Sequence, residues 1–133
     1  MVYLFVGIWG ILGSVSRYLL GVWTGGGAHL FPYPTLFINL LGCFILAFFY
    51  TVTAERFSVH PHFRTGFGTG FVGSFTTFSA FSYETLELVR AGHLSLAILY
   101  ILLSLVGGYA CTLLGIWLGN GREKEKARES RIE

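Results

Sequence analysis

The chain has 133 residues, of which 53% are hydrophobic and only 12% are charged, with a formal net charge of +2. This composition and the positive mean hydropathy exclude an ordinary soluble domain and give no reason to expect a nucleic-acid partner. A membrane-spanning helix needs about 20 apolar residues. The segments of that kind are 2–23, 35–54, 65–89 and 94–119. We therefore predict an all-α, multi-pass protein of the cell membrane, with four transmembrane helices over residues 1–120 and a charged tail over 121–133.

The first segment is interpreted as a retained helix. It lacks a basic leader, its apolar run is too long for a cleaved signal, and Arg17 stands where cleavage residues would lie. Gly7, Gly10 and Gly13 follow one another at three-residue spacing. Such a stripe of small residues favours close packing against another helix.

The second segment contains the one side-chain amide within the four spans, Asn39. An amide is costly in lipid, so it must face protein or water. Two roles remain open at this point. Asn39 either joins two helices through a hydrogen bond or takes part directly in function.

The third segment is unusual because glycines lead into a run that alternates hydroxyls with phenylalanines, residues 73–82. Thr76 and Thr77 beside Gly73 predict a break in the helix, and unwound carbonyls at membrane depth are a recurrent way to hold a small cation. Phe78 and Phe81 are three residues apart and should share a face.

Two further polar features flank this region. Glu84 comes one turn after Phe81, and we place it at the mouth of a vestibule rather than deep in the membrane. The fourth segment carries Tyr100, Ser104 and Gly108 at four-residue spacing, which predicts a mildly polar stripe. The arrangements typical of nucleophilic or acid–base catalysis are absent from the sequence, so an enzyme is not predicted. Cys43 and Cys111 are expected to be free thiols.

Orientation depends on where the basic residues fall. Four spans put both termini and the second connection on one side of the membrane, and the positive-inside rule predicts that this side is cytoplasmic. Its basic residues are Arg56, Arg64, Arg122, Lys124, Lys126, Arg128 and Arg131, against Arg17 and Arg90 on the other side. Without the tail the count is even, so the helical core has almost no preferred orientation.

Three blocks of the sequence, residues 10–18, 35–44 and 73–81, resemble the Fluc (CrcB-type) fluoride channels. The resemblance implies a passive, fluoride-selective channel that exports cytoplasmic fluoride and so lowers its toxicity. It also implies an antiparallel, dual-topology dimer with two pores and a structural sodium ion on the dimer axis. The partner is expected to be a second copy of this chain, with an inverted homologue as the other possibility.

The resemblance also assigns roles to individual residues. Backbone carbonyls of Gly73 and Thr76 from each subunit would hold the sodium ion. The residues matching the fluoride pore are Asn39, Phe78, Phe81, Ser79, Thr35, Tyr100 and Ser104, and those matching vestibule or helix-end positions are Arg17 and Glu84. The chain departs from the family pattern at Ser74, Ala80 and Pro34, and Ala80 removes a hydroxyl from the neighbourhood of the path.

The chemistry of these residues agrees with an anion path. Fluoride is small and strongly hydrated, so removing its water requires replacement donors such as hydroxyls and an amide NH2. An aromatic ring has a positive edge that can face an anion. A fixed cation within the pore would trap the ion, and neither Lys nor Arg lies deep within the second, third or fourth span.

Two other functions compete with the channel. A small proton-coupled multidrug exporter needs a carboxylate in the middle of the membrane, and Glu84 lies late in the third span. A non-transporting subunit of a larger complex is suggested only by the small size of the chain and its glycine-lined helices.

Overall fold

The computed structural model describes residues 2–25, 30–55 and 59–129, and every helix named below lies within them. The elements in chain order are α1 (Val2–Trp23), α2 (Tyr33–Glu55), α3 (Pro61–Thr65), a π-helix (Gly66–Val72), α4 (Gly73–Phe75), α5 (Phe78–Arg90) and α6 (Leu94–Glu129). The predicted all-α fold is confirmed.

Three of the described helices are long and apolar enough to cross a membrane by length and composition, namely Val2–Trp23, Tyr33–Ala54 and Leu94–Gly121. The predicted third span is instead composite: α3, the π-helix and α4 form its first half, and α5 forms its second half. The break predicted in this span is confirmed.

Helix boundaries differ from the predicted spans in two places. Helix α2 begins at Tyr33, two residues early, because a proline such as Pro34 is tolerated in the first helical turn, where its missing N–H is not needed. The backbone of α6 continues to Glu129, past the predicted end of the span. The side chains of Arg56 and of the charged tail from Arg122 onward, on which the predicted orientation depends, lie outside the described part of the chain.

Helices α2 and α6 run in the same direction and pack through small residues. A Cβ added to Gly107 would meet the Leu40 side chain, and one added to Gly115 would meet the Phe44 carbonyl at 2.7 Å. Because close approach recurs along both helices in the same order, α2 and α6 form a continuous pair.

Helix α1 packs against the first half of the third span. Gly13 lies directly on the backbone of Phe71, where a Cβ would overlap the carbonyl group. Trp9 presents itself nearly edge-on to Phe63, Phe67 and Phe71, with centroid distances of 5.3, 5.4 and 6.2 Å. The predicted packing role of the α1 glycines is therefore correct for Gly13, whereas Gly7 has open space around it.

Candidate functional site

The site centres on the break between α4 and α5. Thr76 and Thr77 are extended, with ψ of 159° at Thr76 and φ of −147° at Thr77. The Thr77 hydroxyl accepts a hydrogen bond from the Ala80 amide at 3.2 Å and so caps the start of α5. The chain thus ends one helix and begins the next within two residues.

Asn39 of α2 pairs with both backbone groups of Thr77. Its Oδ1 accepts from the Thr77 amide at 2.8 Å, and its Nδ2 donates to the Thr77 carbonyl at 3.0 Å. The backbone N–H can only donate, which fixes the orientation of the Asn39 amide. Nδ2 carries two hydrogens, so its bond to Thr77 leaves one for another acceptor. Of the two roles left open by the sequence, the joining role is therefore observed.

A groove of about 370 Å³ lies on one side of the break. The predicted pore residues Asn39, Phe78, Phe81 and Ser104 line it together with Thr76 and Thr77. The Phe78 and Phe81 rings have centroids 5.8 Å apart and planes tilted by 40°, and Phe78 is 79% exposed. The groove is therefore open along one edge of this protomer.

A second cavity of about 550 Å³ lies on the other side of the break, lined by Arg17, Thr35, Thr77, Ser79 and Tyr83 among others. Arg17 donates from Nη1 to the Thr76 carbonyl at 3.4 Å, a long hydrogen bond. The hydroxyls of Thr77 and Ser79 are 3.2 Å apart. Because Thr77 lines both cavities, the break forms the boundary between them.

Glu84 joins two of the predicted pore residues. Thr35 Oγ1 donates to Glu84 Oε1 at 2.6 Å, and the Tyr100 hydroxyl donates to Oε2 at 2.8 Å. Tyr100 is fully buried, and among the described ion pairs the single one, between Arg90 and Glu87, does not include Glu84. Two neutral donors therefore stabilise this carboxylate.

This arrangement separates residues that the sequence grouped together. Ser104 lies in the groove, whereas Tyr100 turns its hydroxyl toward Glu84 and contacts Phe81 only through its ring, at a centroid distance of 5.0 Å. Sequence reasoning missed the contact of Glu84 with Thr35 and Tyr100. The available signal was that all three residues lie toward the same end of their spans, opposite the termini.

The Gly73 and Thr76 carbonyls are suitable for the implied sodium ion. Gly73 is exposed on the protomer surface, with nothing within 4 Å of a Cβ added there. In a continuous helix the Thr77 amide would donate to the Gly73 carbonyl, but here it donates to Asn39 instead. The Thr76 carbonyl accepts from Arg17 but has a second lone pair. The donor set per chain is thus the Gly73 carbonyl, which the Thr77 amide has left, and the Thr76 carbonyl, which is shared with Arg17.

Comparison with known proteins identifies the family. A family model described as "CrcB-like protein, Camphor Resistance (CrcB)" matches residues 4–116.

The chain belongs to the CrcB family.

Curated relatives of this CrcB-family chain are similar over most of their length. A protein named "Fluoride-specific ion channel FluC 2" from Listeria innocua is 50% identical over 115 residues, covering 86% of this chain and 88% of the relative. Its namesake from Listeria monocytogenes is 46% identical over 120 residues, covering 90% and 92%. "Fluoride-specific ion channel FluC 1" from Bacillus cereus is 47% identical over 125 residues, covering 90% and 88%. With its apolar helices, the chain is a multi-pass membrane protein, and the resemblance stated from the sequence is confirmed.

Proposed function

We propose that this chain is a fluoride-selective channel that lets fluoride leave the cytoplasm passively. The observation that carries the proposal is the groove beside the break, where the Asn39 amide, the Ser104 hydroxyl and the Phe78 and Phe81 rings line one space. The relatives named as fluoride-specific ion channels support the same function.

The groove offers fluoride neutral partners. Asn39 has one N–H beyond its bond to Thr77, and Ser104 adds a hydroxyl. The rings of Phe78 and Phe81 line the same space, tilted by 40° to each other, and a ring edge turned toward the ion would offer it partial positive charge. Such contacts replace water around the ion without binding it so tightly that it cannot leave.

The second cavity would serve as the approach to the groove. Arg17 stands in it, held near the break by the Thr76 carbonyl. A cation at the wall of a cavity raises the local concentration of anions. Because Arg17 does not line the groove itself, it attracts fluoride without trapping it in the narrow part of the path.

Glu84 limits when Thr35 and Tyr100 can contact the ion. Each of these residues has one hydroxyl hydrogen, and both hydrogens point at the Glu84 carboxylate. In this arrangement Thr35 and Tyr100 hold the carboxylate, and their roles along the path require their hydroxyls to turn away from Glu84.

The direction of transport follows from acid chemistry and from the membrane potential. Neutral HF crosses the membrane, dissociates in the less acidic cytoplasm and leaves fluoride inside. When the interior is negative, the exit of one fluoride ion is favoured by about 2.3 kcal/mol for each 100 mV of membrane potential. A passive pore in the cell membrane would therefore lower the fluoride concentration in the cytoplasm and its toxicity.

The working assembly is an antiparallel pair of chains that encloses a sodium ion. Two observations support a pair of chains: the groove is open at Phe78, which is 79% exposed, and Gly73, whose carbonyl the Thr77 amide has left, is exposed on the protomer surface. Two chains would bring together four carbonyl oxygens from Gly73 and Thr76, and sodium is commonly held by unwound backbone carbonyls. The ion would balance the dipoles of these carbonyls.

A second copy of this chain, inserted in the opposite direction, is the preferred partner over an inverted homologue. Reporter tags on the C-terminus test this assembly. Signals from both sides of the membrane support the homodimer, and a signal from one side only points to a separate partner chain.

The decisive experiment measures fluoride efflux from liposomes. Vesicles loaded with potassium fluoride should release it when purified protein is present and a potassium ionophore balances the charge, and vesicles loaded with chloride should retain it. Fluoride release no faster than from protein-free vesicles would refute the channel.

The proton-coupled exporter is not supported. Glu84 is the carboxylate that its mechanism would need, and both of its oxygens are engaged by hydroxyls. The relatives bear the names of fluoride channels, not of drug exporters.

A further inference from the structure

The helix break is held open from outside the third span. In a continuous α-helix the Thr77 amide would donate to the Gly73 carbonyl, four residues earlier. One residue before, the helical pattern is still intact, because the Thr76 amide donates to the Val72 carbonyl at 3.0 Å. Thr77 is thus the first residue whose amide leaves the helix, and its new acceptor is Asn39 Oδ1 at 2.8 Å.

We propose that Asn39 is a positioning residue for the break, in addition to lining the groove. Its Oδ1 satisfies the Thr77 amide, which the break releases from the helix, and its Nδ2 also donates to the Thr77 carbonyl at the N-cap of α5. It also keeps the Thr77 amide away from the Gly73 carbonyl, so that this carbonyl can face a cation instead. One side chain therefore links the groove to the carbonyls of the break.

The surroundings of Asn39 explain why α2 can perform this role. Gly42 lies one turn after Asn39, and a Cβ there would overlap the Thr76 side chain. The absence of that Cβ lets the break approach α2 closely enough for the short Asn39 side chain to reach Thr77. Backbone groups at membrane depth have no water to bond, so losing Asn39 would favour the return of the Thr77 amide to Gly73.

The other contact to the break is weaker. Arg17 reaches the Thr76 carbonyl at 3.4 Å, through a single hydrogen bond. It does not touch the Thr77 amide, so it cannot prevent that amide from donating to Gly73. Asn39 is therefore the residue whose removal should close the break.

The test compares three variants of the full-length chain in lipid. Asn39→Leu removes both bonds, Asn39→Asp keeps an acceptor for the Thr77 amide, and Ser104→Ala alters the groove without changing any bond to Thr77. The NMR Cα secondary shift of Thr77 has opposite signs for extended and helical backbone. We expect it to be extended in the unchanged chain, in Asn39→Asp and in Ser104→Ala, and to become helical in Asn39→Leu. An extended Thr77 in Asn39→Leu would overturn the proposal.

A second measurement tests the link to the cation and rests on the proposed sodium site. Sodium, compared with N-methylglucamine, should raise the midpoint of thermal unfolding in the unchanged chain and in Ser104→Ala, but not in Asn39→Leu. An equal sodium response in Asn39→Leu would overturn the link.

If Asn39→Leu does not fold, Asn39→Ala replaces it in both measurements, because a methyl group can bond to neither group of Thr77. Neither readout depends on fluoride flux. A failed efflux assay with the expected NMR shifts would refute the channel alone, and the reverse result would refute only the positioning role.

Discussion

The α2–α6 pair and the broken third span differ in how their backbone polar groups find hydrogen-bond partners. In lipid, every backbone polar group must find a partner inside the protein. The continuous helices do so within themselves and then pack through glycines such as Gly107 and Gly115. The third span interrupts its own hydrogen bonds, and side chains from α1 and α2 must replace them.

This difference indicates that the α2–α6 pair supports the fold, whereas the helix break serves ion passage. The α2–α6 pair depends on shape, so a change there should affect stability first. The break depends on directed hydrogen bonds, so a change there should affect ion passage first. The first half of the third span lies between these extremes, because it packs on α1 through Gly13 and Trp9 yet leads directly into the break.

The largest effect, on thermal stability, is expected where α1 packs against the first half of the third span. Gly13→Ala would drive a Cβ into the Phe71 carbonyl, which is backbone and cannot turn aside. Overpacking of this kind costs about 1–3 kcal/mol or more, so we expect a marked loss of thermal stability and of folded yield. Gly7→Ala is the matched control on the same helix, because its added Cβ meets nothing within 4 Å. Equal melting temperatures for the two variants would contradict the observed contact.

The next largest effect concerns ion passage without unfolding. Asn39→Asp replaces a donor in the groove with an acceptor, and Phe81→Ile removes an aromatic edge. A hydrogen bond to a charged group contributes about 1.5–3 kcal/mol, and each 1.4 kcal/mol is tenfold, so we expect Asn39→Asp to lower fluoride efflux by about 10- to 100-fold. Phe81→Ile should also lower it. Full efflux in both variants would remove these residues from the pore.

The scaffold itself gives a smaller effect, on stability. Gly115→Ala would place a Cβ 2.7 Å from the Phe44 carbonyl and 3.0 Å from the Phe48 amide nitrogen, whereas Gly108→Ala meets only Cys43 Sγ, at 3.5 Å. We expect Gly115→Ala to lower the free energy of unfolding by about 1–2 kcal/mol, and Gly108→Ala to change it little. Chemical denaturation in detergent measures both. A larger loss in Gly108→Ala would show that α2 and α6 are not packed as described.

The smallest effect should come from the approach to the groove. Arg17→Gln removes a cation that lines the second cavity, whereas Arg90→Gln removes an exposed one that is paired with Glu87. Since salt screens such attraction, efflux should fall about two- to threefold in Arg17→Gln at low ionic strength and less at high ionic strength. Arg90→Gln should behave like the unchanged chain. The same reduction in both variants, independent of salt, would rule out local attraction by Arg17.

Much of the fold can be predicted from the chain because it depends on local properties. Hydropathy identified the spans, and the small and hydroxylated residues around Gly73 and Thr76 identified the break, which the structure contains. The motif blocks also indicated the family. The groove brings together four of the predicted pore residues, Asn39, Phe78, Phe81 and Ser104, and the other three lie elsewhere.

What the sequence by itself determined is therefore the membrane class, the position of the break and the family. Only the tertiary structure decided that Asn39 bonds to the backbone of Thr77, 38 residues away, and that Thr35 bonds to Glu84, 49 residues away. It also decided that Gly13 would rest on Phe71 and that residues Gly66–Val72 form a π-helix. The physical reason is that hydropathy and turn preference act over a few neighbouring residues. The partner of a polar group depends on how each helix is rotated and how closely it packs, which the whole bundle sets.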